Sequence, residues 1–187
     1  MDNITEKQNS KSEKLNQLNS LSILNLINDE DSKITSSIKK SIPRINFLIK
    51  DIIKKMKNNG RLFYVGCGTS GRLGVLDASE CPPTFGVSKD TVQGIIAGGD
   101  LALKESVENA EDSLIDGLKI IKEKKVNKDD TIIGISASGS AKYVHGALKE
   151  AKKRGATTAM ISCNNINNRK YFDHLIVVIL GPELITG

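Results

Sequence analysis

The feature that most constrains the fold is a repeated alternation. Five short, mostly apolar runs recur along residues 61–180, and stretches with helical spacing separate them. The runs are Arg61–Val65, Val92–Ala97, Thr131–Ile135, Thr157–Ile161 and Leu175–Leu180. Runs this short, bounded by Gly, Ser, Asn or Asp, read as strands buried on both faces. The intervening segments predict helices over about 71–79, 101–124 with a break, and 141–154. Strand then helix, repeated, predicts an α/β fold: a five-stranded parallel sheet with helices on both faces. Aromatic residues make up only 4% of the 187 residues and Trp is absent, so the core is predicted to be aliphatic.

Upstream of the first strand the period changes. Ile34, Ile38, Ile42, Ile45, Ile49, Ile52 and Met56 recur at three- and four-residue steps, which is one face of a helix. Pro43 predicts a kink or a break in it. Ser20 or Ser22 is the expected cap of a short helix carrying Ile23, Leu24, Leu26 and Ile27. Residues 1–20 are polar and predict an extended arm unless a neighbouring subunit orders them. Asn58-Asn59-Gly60 is a helix stop. The chain thus divides into an arm with helices over 1–58 and a sheet domain over 59–187.

Composition narrows the function. The formal charge is +5 and the pI about 9.0, but Lys and Arg are interleaved with Asp and Glu, with no basic arm and few aromatics for base stacking. Nucleic acid is therefore not the expected partner, whereas a modest positive field suits an anionic small molecule. No apolar run approaches the ~20 residues of a membrane span, and the N-terminus lacks the pattern of a signal peptide. The expectation is a cytoplasmic protein without a membrane partner. Cys67, Cys81 and Cys163 lack metal-ligand spacing and read as reduced, packed thiols. His145 and His174 stand far apart in sequence, which argues against a zinc site or a histidine triad. A metal site is therefore not expected.

Two strand ends carry unusual loops. Gly66-Cys67-Gly68-Thr69-Ser70-Gly71-Arg72 follows the first strand, and Ser136-Ala137-Ser138-Gly139-Ser140 follows the third. Ligands of parallel sheets bind beyond the carboxyl ends of the strands. Glycines let the backbone approach closely, helix N-termini offer free N–H groups, and hydroxyls rotate to meet phosphate oxygens. Gly68, Thr69, Ser70, Ser136, Ser138, Gly139 and Ser140 are thus candidate phosphate contacts. The competing reading is that the hydroxyls merely cap the following helices. The first loop also matches Gly-x-Gly-x-x-Gly. However, a dinucleotide site expects an acid closing the second strand, whereas Asp90 precedes that strand and Asp100 follows it beyond two further glycines.

Two carboxylates stand out. Glu80 lies in Asp77-Ala78-Ser79-Glu80-Cys81-Pro82-Pro83-Thr84-Phe85-Gly86, where the prolines are expected to end the helix and stiffen a turn. Glu111 lies in Glu108-Asn109-Ala110-Glu111-Asp112, after the second strand. Its alternative role is a helix first-turn acid.

These strings, with Gln93-Gly94-Ile95-Ile96-Ala97-Gly98-Gly99, Ile135-Ser136-Ala137-Ser138-Gly139 and Leu26-Ile27-Asn28-Asp29-Glu30-Asp31, closely resemble the N-acetylmuramic acid 6-phosphate etherases. The resemblance runs over essentially the whole chain. It implies a sugar-isomerase (SIS), flavodoxin-like three-layer fold, assembled as a homodimer, with no metal and no organic cofactor. It implies cleavage of the D-lactyl ether of N-acetylmuramic acid 6-phosphate to N-acetylglucosamine 6-phosphate and D-lactate, in cell-wall recycling. Glu80 would protonate the departing lactate oxygen and later activate water, and Glu111 would be the second catalytic carboxylate, a base at C2. SIS domains also serve as non-catalytic sugar-phosphate regulators of the glucokinase-regulatory-protein type. A regulator needs neither carboxylate, so retention of both favours the enzyme. Two departures are expected to matter. Many relatives carry Thr where Ala141 stands, leaving Ser140 or Lys142 to compensate. The family's C-terminal helical region does not follow Gly187, which would leave apolar surface uncovered.

Overall fold

The computed structural model describes residues 4–185. Helix α1 (Ser20–Met56) is followed by β1 (Leu62–Gly66), α2 (Gly68–Phe85), β2 (Val92–Ile96), α3 (Leu114–Glu123), β3 (Thr131–Ile135), α4 (Lys142–Lys153), β4 (Thr157–Ser162) and β5 (His174–Val177). All five strands are parallel, in the order β2-β1-β3-β4-β5. That order is the flavodoxin-like doubly wound one, whose switch point lies between β1 and β3. The two glycine–serine loops therefore leave adjacent strands, at the place where such sheets bind ligands.

Period-two alternation explains the layers. Phe63 and Val65 point to one face, where α3 and α4 add Ile121, Val144, Ala147 and Leu148. Leu62 points to the other with Val92, Ile133, Ala159 and Ile176, where Leu48 of α1 and Ala78 of α2 cover them. Each of the larger side chains contributes about 1.5–3 kcal/mol on burial. The core is aliphatic apart from Phe63 and Tyr143.

The helices differ from expectation in two places. Helix α1 is continuous through Pro43, and its cap is Asn19, whose side chain accepts from the N–H of Ser22. Pro43 forfeits one hydrogen bond, to the carbonyl of Lys39, and both residues are exposed. Anchors on either side hold the helix against the sheet. Ser41 Oγ donates to Val177 O (2.8 Å), Leu48 is buried, and Asp51 meets His174 Nε2 at 2.7 Å. Similarly, Pro82 and Pro83 do not end α2. They occupy its last turn, where they forgo the bonds to the carbonyls of Ala78 and Ser79 but have no further turn to interrupt. The stop is Gly86, in the left-handed conformation (φ 64°), whose N–H bonds Pro82 O.

Three further segments depart from the predicted pattern. Residues 101–124 resolve into 3-10 turns at Gly99–Leu103 and Ala110–Asp112 followed by α3. The fifth strand ends at Val177 rather than continuing to Leu180. The arm is not free within the described residues. It forms short 3-10 turns and is tied to the segments after β4 and after β5, with Ile4 N donating to Asn164 Oδ1 (2.8 Å) and Asn9 Nδ2 to Pro182 O (3.2 Å). No helix among the described residues is long and apolar enough to cross a membrane.

Candidate active site

The first loop turns directly from β1 into α2. Gly68 takes φ +51°, a conformation glycine adopts without penalty. Gly66 and Gly71 meet so closely that a Cβ on Gly71 would lie 2.6 Å from Ile96 Cγ1 and 2.8 Å from Gly66 O. The glycines thus seat the start of α2 against the ends of β1 and β2. Arg72 points sideways and holds the loop after β2, donating to Leu103 O (3.3 Å) and Glu105 O (3.0 Å).

The second loop is held from behind. Ala137 O accepts from Cys163 N (2.9 Å) and Ser162 Oγ (3.2 Å). Ser138 O accepts from Asn164 Nδ2 (3.3 Å), and Gly139 O is bonded to His145 Nε2 (2.8 Å). Three successive carbonyls are thereby engaged by the scaffold, which removes their negative ends from competition with an anion. The hydroxyls form a row in front: Ser136 Oγ lies 3.5 Å from Ser138 Oγ, and Ser138 Oγ 2.7 Å from Ser140 Oγ. Neither α2 nor α4 receives a side-chain cap. The hydroxyls therefore do not serve the capping role that was the alternative for them, and both helix N-termini keep free donors.

Between the loops lies a cavity of about 460 Å³. Ser70 lines it from the first loop and Ser136, Ser138 and Ser140 from the second, with the carboxylates of Glu111 and Glu6. Glu111 also lines an adjoining cavity of about 250 Å³, which Gly68 and Arg72 share. Glu111 sits in the Ala110–Asp112 turn, not in the first turn of α3, which carries Asp116. Asn109 sets up that turn with a left-handed backbone (φ 61°) that Asn tolerates well.

The remaining predicted residues are placed as follows. Gly139 is buried with φ +74°, shaping the loop rather than lining the cavity. Thr69 is exposed in the first turn of α2 and lines neither cavity. Ser140 lines the cavity, whereas Lys142 is exposed and paired with Asp112 (3.0 Å). Of the two residues expected to compensate for Ala141, only Ser140 faces the hollow. Glu80 is the clearest departure. Because α2 runs on past the prolines, Glu80 stands on an exposed helix surface twelve residues beyond Gly68, about 18 Å along the axis. Within one chain it lines neither cavity.

Several residues of the site were not singled out in the sequence for these positions. Asn164, Ser162 and His145 hold the second loop, and Glu6 reaches the cavity from the arm. Cys67, expected to be a packed thiol, stands in the cavity wall beside Glu111. Burial pushes its thiol up to about 12, and the Glu111 carboxylate adds to the shift. The thiol is therefore almost wholly protonated at pH 8. Alkylation of Cys67 by iodoacetamide, followed by peptide mass spectrometry, should be at least about tenfold slower than that of free cysteine. A rate equal to free cysteine would mean the thiol is not held in this environment.

Sheet order and loop placement define a doubly wound α/β domain whose ligand end lies between β1 and β3, and the sequence match places it among the sugar-isomerase domains. Residues 44–152 match the family described as "Glucokinase regulatory protein N-terminal SIS domain". The N-acetylmuramic acid 6-phosphate etherase of Clostridium botulinum is 50% identical over 189 residues, covering 100% of this chain and 63% of the relative. That of Porphyromonas gingivalis is 48% identical, covering 98% of this chain and 67% of the relative. The chain belongs to the SIS-domain family and, within it, to the N-acetylmuramic acid 6-phosphate etherases. It spans about three fifths of the length of the curated relatives it matches. The same fold occurs in a phosphoheptose isomerase from Francisella tularensis (TM-score 0.60, 17% identity, 83% of this chain and 85% of that one). It recurs in the Vibrio vulnificus NanR protein complexed with ManNAc-6P (TM-score 0.55, 14% identity, 92% of this chain and 56% of that one).

Proposed function

We propose that this site belongs to a carbon–oxygen lyase that cleaves the D-lactyl ether of N-acetylmuramic acid 6-phosphate, giving N-acetylglucosamine 6-phosphate and D-lactate. The single observation that carries the anion half of this reading is the second loop. Its carbonyls are bonded away, its hydroxyls are aligned, and the uncapped α4 N-terminus lies behind them. A phosphate seated there fixes the sugar, so that C2 and C3 lie toward Glu111. The identity with etherases along the whole chain supports the particular ether.

An alkoxide is a poor leaving group, so direct displacement of lactate is unfavourable. Opening of the sugar ring exposes the C1 aldehyde, which acidifies the C2 proton. Glu111 takes that proton, and the C3–O bond breaks as a carboxylic acid protonates the lactate oxygen. Water then adds to C3 of the unsaturated aldehyde, and C2 regains a proton. The two carboxyl groups must begin in opposite protonation states.

Glu80 is the acid in this scheme, delivered by a second copy of the chain. Its surroundings support this. Leu73, Leu76 and Glu80 share one face of α2 by their spacing, and both leucines are 57% exposed, with Phe85 at 73%. A twofold mate covering that face would bring Glu80 toward the neighbour's cavity. The test is complementation. Glu80→Gln and Glu111→Gln proteins, each inactive alone, are mixed under conditions that exchange subunits. If the carboxylates act across the interface, one of the two sites in each mixed dimer is intact, and lactate release returns to about a quarter of the parent value. Continued inactivity of a mixture shown to contain mixed dimers would overturn delivery of Glu80 across the interface.

The family match to a regulatory domain favours a second reading, a sugar-phosphate sensor. It predicts binding of the phosphosugar with no lactate released by the unaltered protein.

A further inference from the structure

Glu6 lies outside every motif in the chain, yet it lines the same cavity as Glu111 and the hydroxyl row. Its place there is built rather than incidental. Asn164 is 2% exposed and holds the arm with both ends of its amide: Oδ1 accepts from Ile4 N (2.8 Å), and Nδ2 donates to Thr5 Oγ1 (2.9 Å). Thr5 Oγ1 in turn donates to Glu6 Oε1 (3.1 Å). The same amide nitrogen donates to Ser138 O in the second loop (3.3 Å). On the other side of Glu6, Asn9 is 6% exposed, caps the Ser10–Ser12 turn and bonds Pro182 O. One buried amide thus fixes the carboxylate and the hydroxyl row relative to each other, and the arm is anchored before and after Glu6.

The chemistry of the position limits its role. A carboxylate at neutral pH offers only acceptors and repels a phosphate. Placed in a cavity whose other wall is a row of hydroxyls, it suits a ligand that is anionic at one end and rich in neutral donors at the other. Resting on the phosphosugar reading above, we propose that Glu6 contacts the substrate, accepting a hydrogen bond from a hydroxyl or amide N–H of the sugar while the serine loop holds the phosphate. Glu6 then helps the site distinguish a sugar phosphate from phosphate alone.

The test compares two ligands by calorimetry, N-acetylglucosamine 6-phosphate and inorganic phosphate, on the unaltered protein and on Glu6→Ala and Glu6→Gln. A hydrogen bond to a charged group that is lost on truncation predicts a ten- to hundredfold weaker sugar phosphate for Glu6→Ala. The amide of Glu6→Gln keeps one acceptor, so a smaller loss is expected there. Phosphate affinity should be unchanged or slightly improved, because a negative charge has gone, and the melting temperature should not move, because Glu6 is exposed. Unchanged sugar-phosphate affinity in Glu6→Ala overturns the proposal. So does parallel loss of both ligands, which would mean that the arm only supports the loop. If the unaltered protein itself fails to bind N-acetylglucosamine 6-phosphate, the phosphosugar reading falls, and this one with it.

Discussion

Replacing Glu111 with Gln should lower lactate release from N-acetylmuramic acid 6-phosphate by about 10²–10⁴-fold, the usual contribution of a positioned acid or base. Gln keeps the size and planarity of the side chain and removes its basicity. The residue is exposed in a short turn, so the fold should be unaffected, and an unchanged thermal melt is the control. The assignment has a second readout. If Glu111 takes the proton at C2, it also exchanges that hydrogen in N-acetylglucosamine 6-phosphate with solvent deuterium. Glu111→Gln should lose both exchange and lactate release, whereas Glu80→Gln should lose lactate release and retain exchange. Lactate release by Glu111→Gln at the parent rate would remove Glu111 from the reaction.

The largest effect on stability is expected at the opposite end of the central strands, where β1 and β3 begin. Asp130 precedes β3 and is 1% exposed. Its Oδ1 accepts from Arg61 N and Nε (3.0 Å each), and its Oδ2 from Arg61 Nη2 (2.7 Å) and Asn127 N (2.9 Å). Arg61 also donates to Lys124 O and Lys125 O, so the pair ties the start of β1 to the end of α3. Asp130→Ala strands two backbone N–H groups and a half-covered guanidinium. Breaking one side of a buried pair costs about 3–5 kcal/mol, and the 28% exposure of Arg61 places the loss toward the lower end. The melting temperature should fall by roughly 10 °C.

The same contacts set the pH dependence. Burial alone would raise the Asp130 pKa, but the hydrogen bonds from Arg61 and from the N–H groups of Asn127 and Arg61 outweigh it and hold it below the usual carboxylate range. A carboxylate depressed in the folded state contributes stability above its unfolded value, near pH 4, and loses it as pH falls through the folded value. The gap between parent and Asp130→Ala should therefore be widest at pH 7 and narrow below about pH 4. Denaturant melts at pH 7 and pH 3 with an equal gap would show that the ionised pair is not what stabilises this end of the sheet.

Local features were readable in the chain because their causes are local. Ile132, Ile133 and Val65 announce buried strands, Gly66-Cys67-Gly68 and Ser136-Ala137-Ser138 announce strand-to-helix loops, and Asn59 announces a helix stop, which it provides with φ +60°. The prolines misled because their effect depends on what surrounds them. Pro43 lacks one N–H, and the cost is outweighed by packing of Ser41, Leu48 and Asp51 on β5. Pro82 and Pro83 each remove one donor, but they stand in the last turn of α2 and have no further turn to interrupt. That single difference moved Glu80 from a turn beside the loop to a distant helix face.

The sequence by itself determined the five strands, their parallel arrangement and the two glycine–serine loops, since periodicity and glycine chemistry act over a few residues, and its resemblance to the etherases pointed to Glu111. Only the tertiary structure decided which groups share a cavity. Asn164 meets Ile4, Asn9 meets Pro182 and Glu6 meets Ser138's loop across more than a hundred residues of chain. Such pairings depend on how layers pack, and no spacing along the chain encodes them.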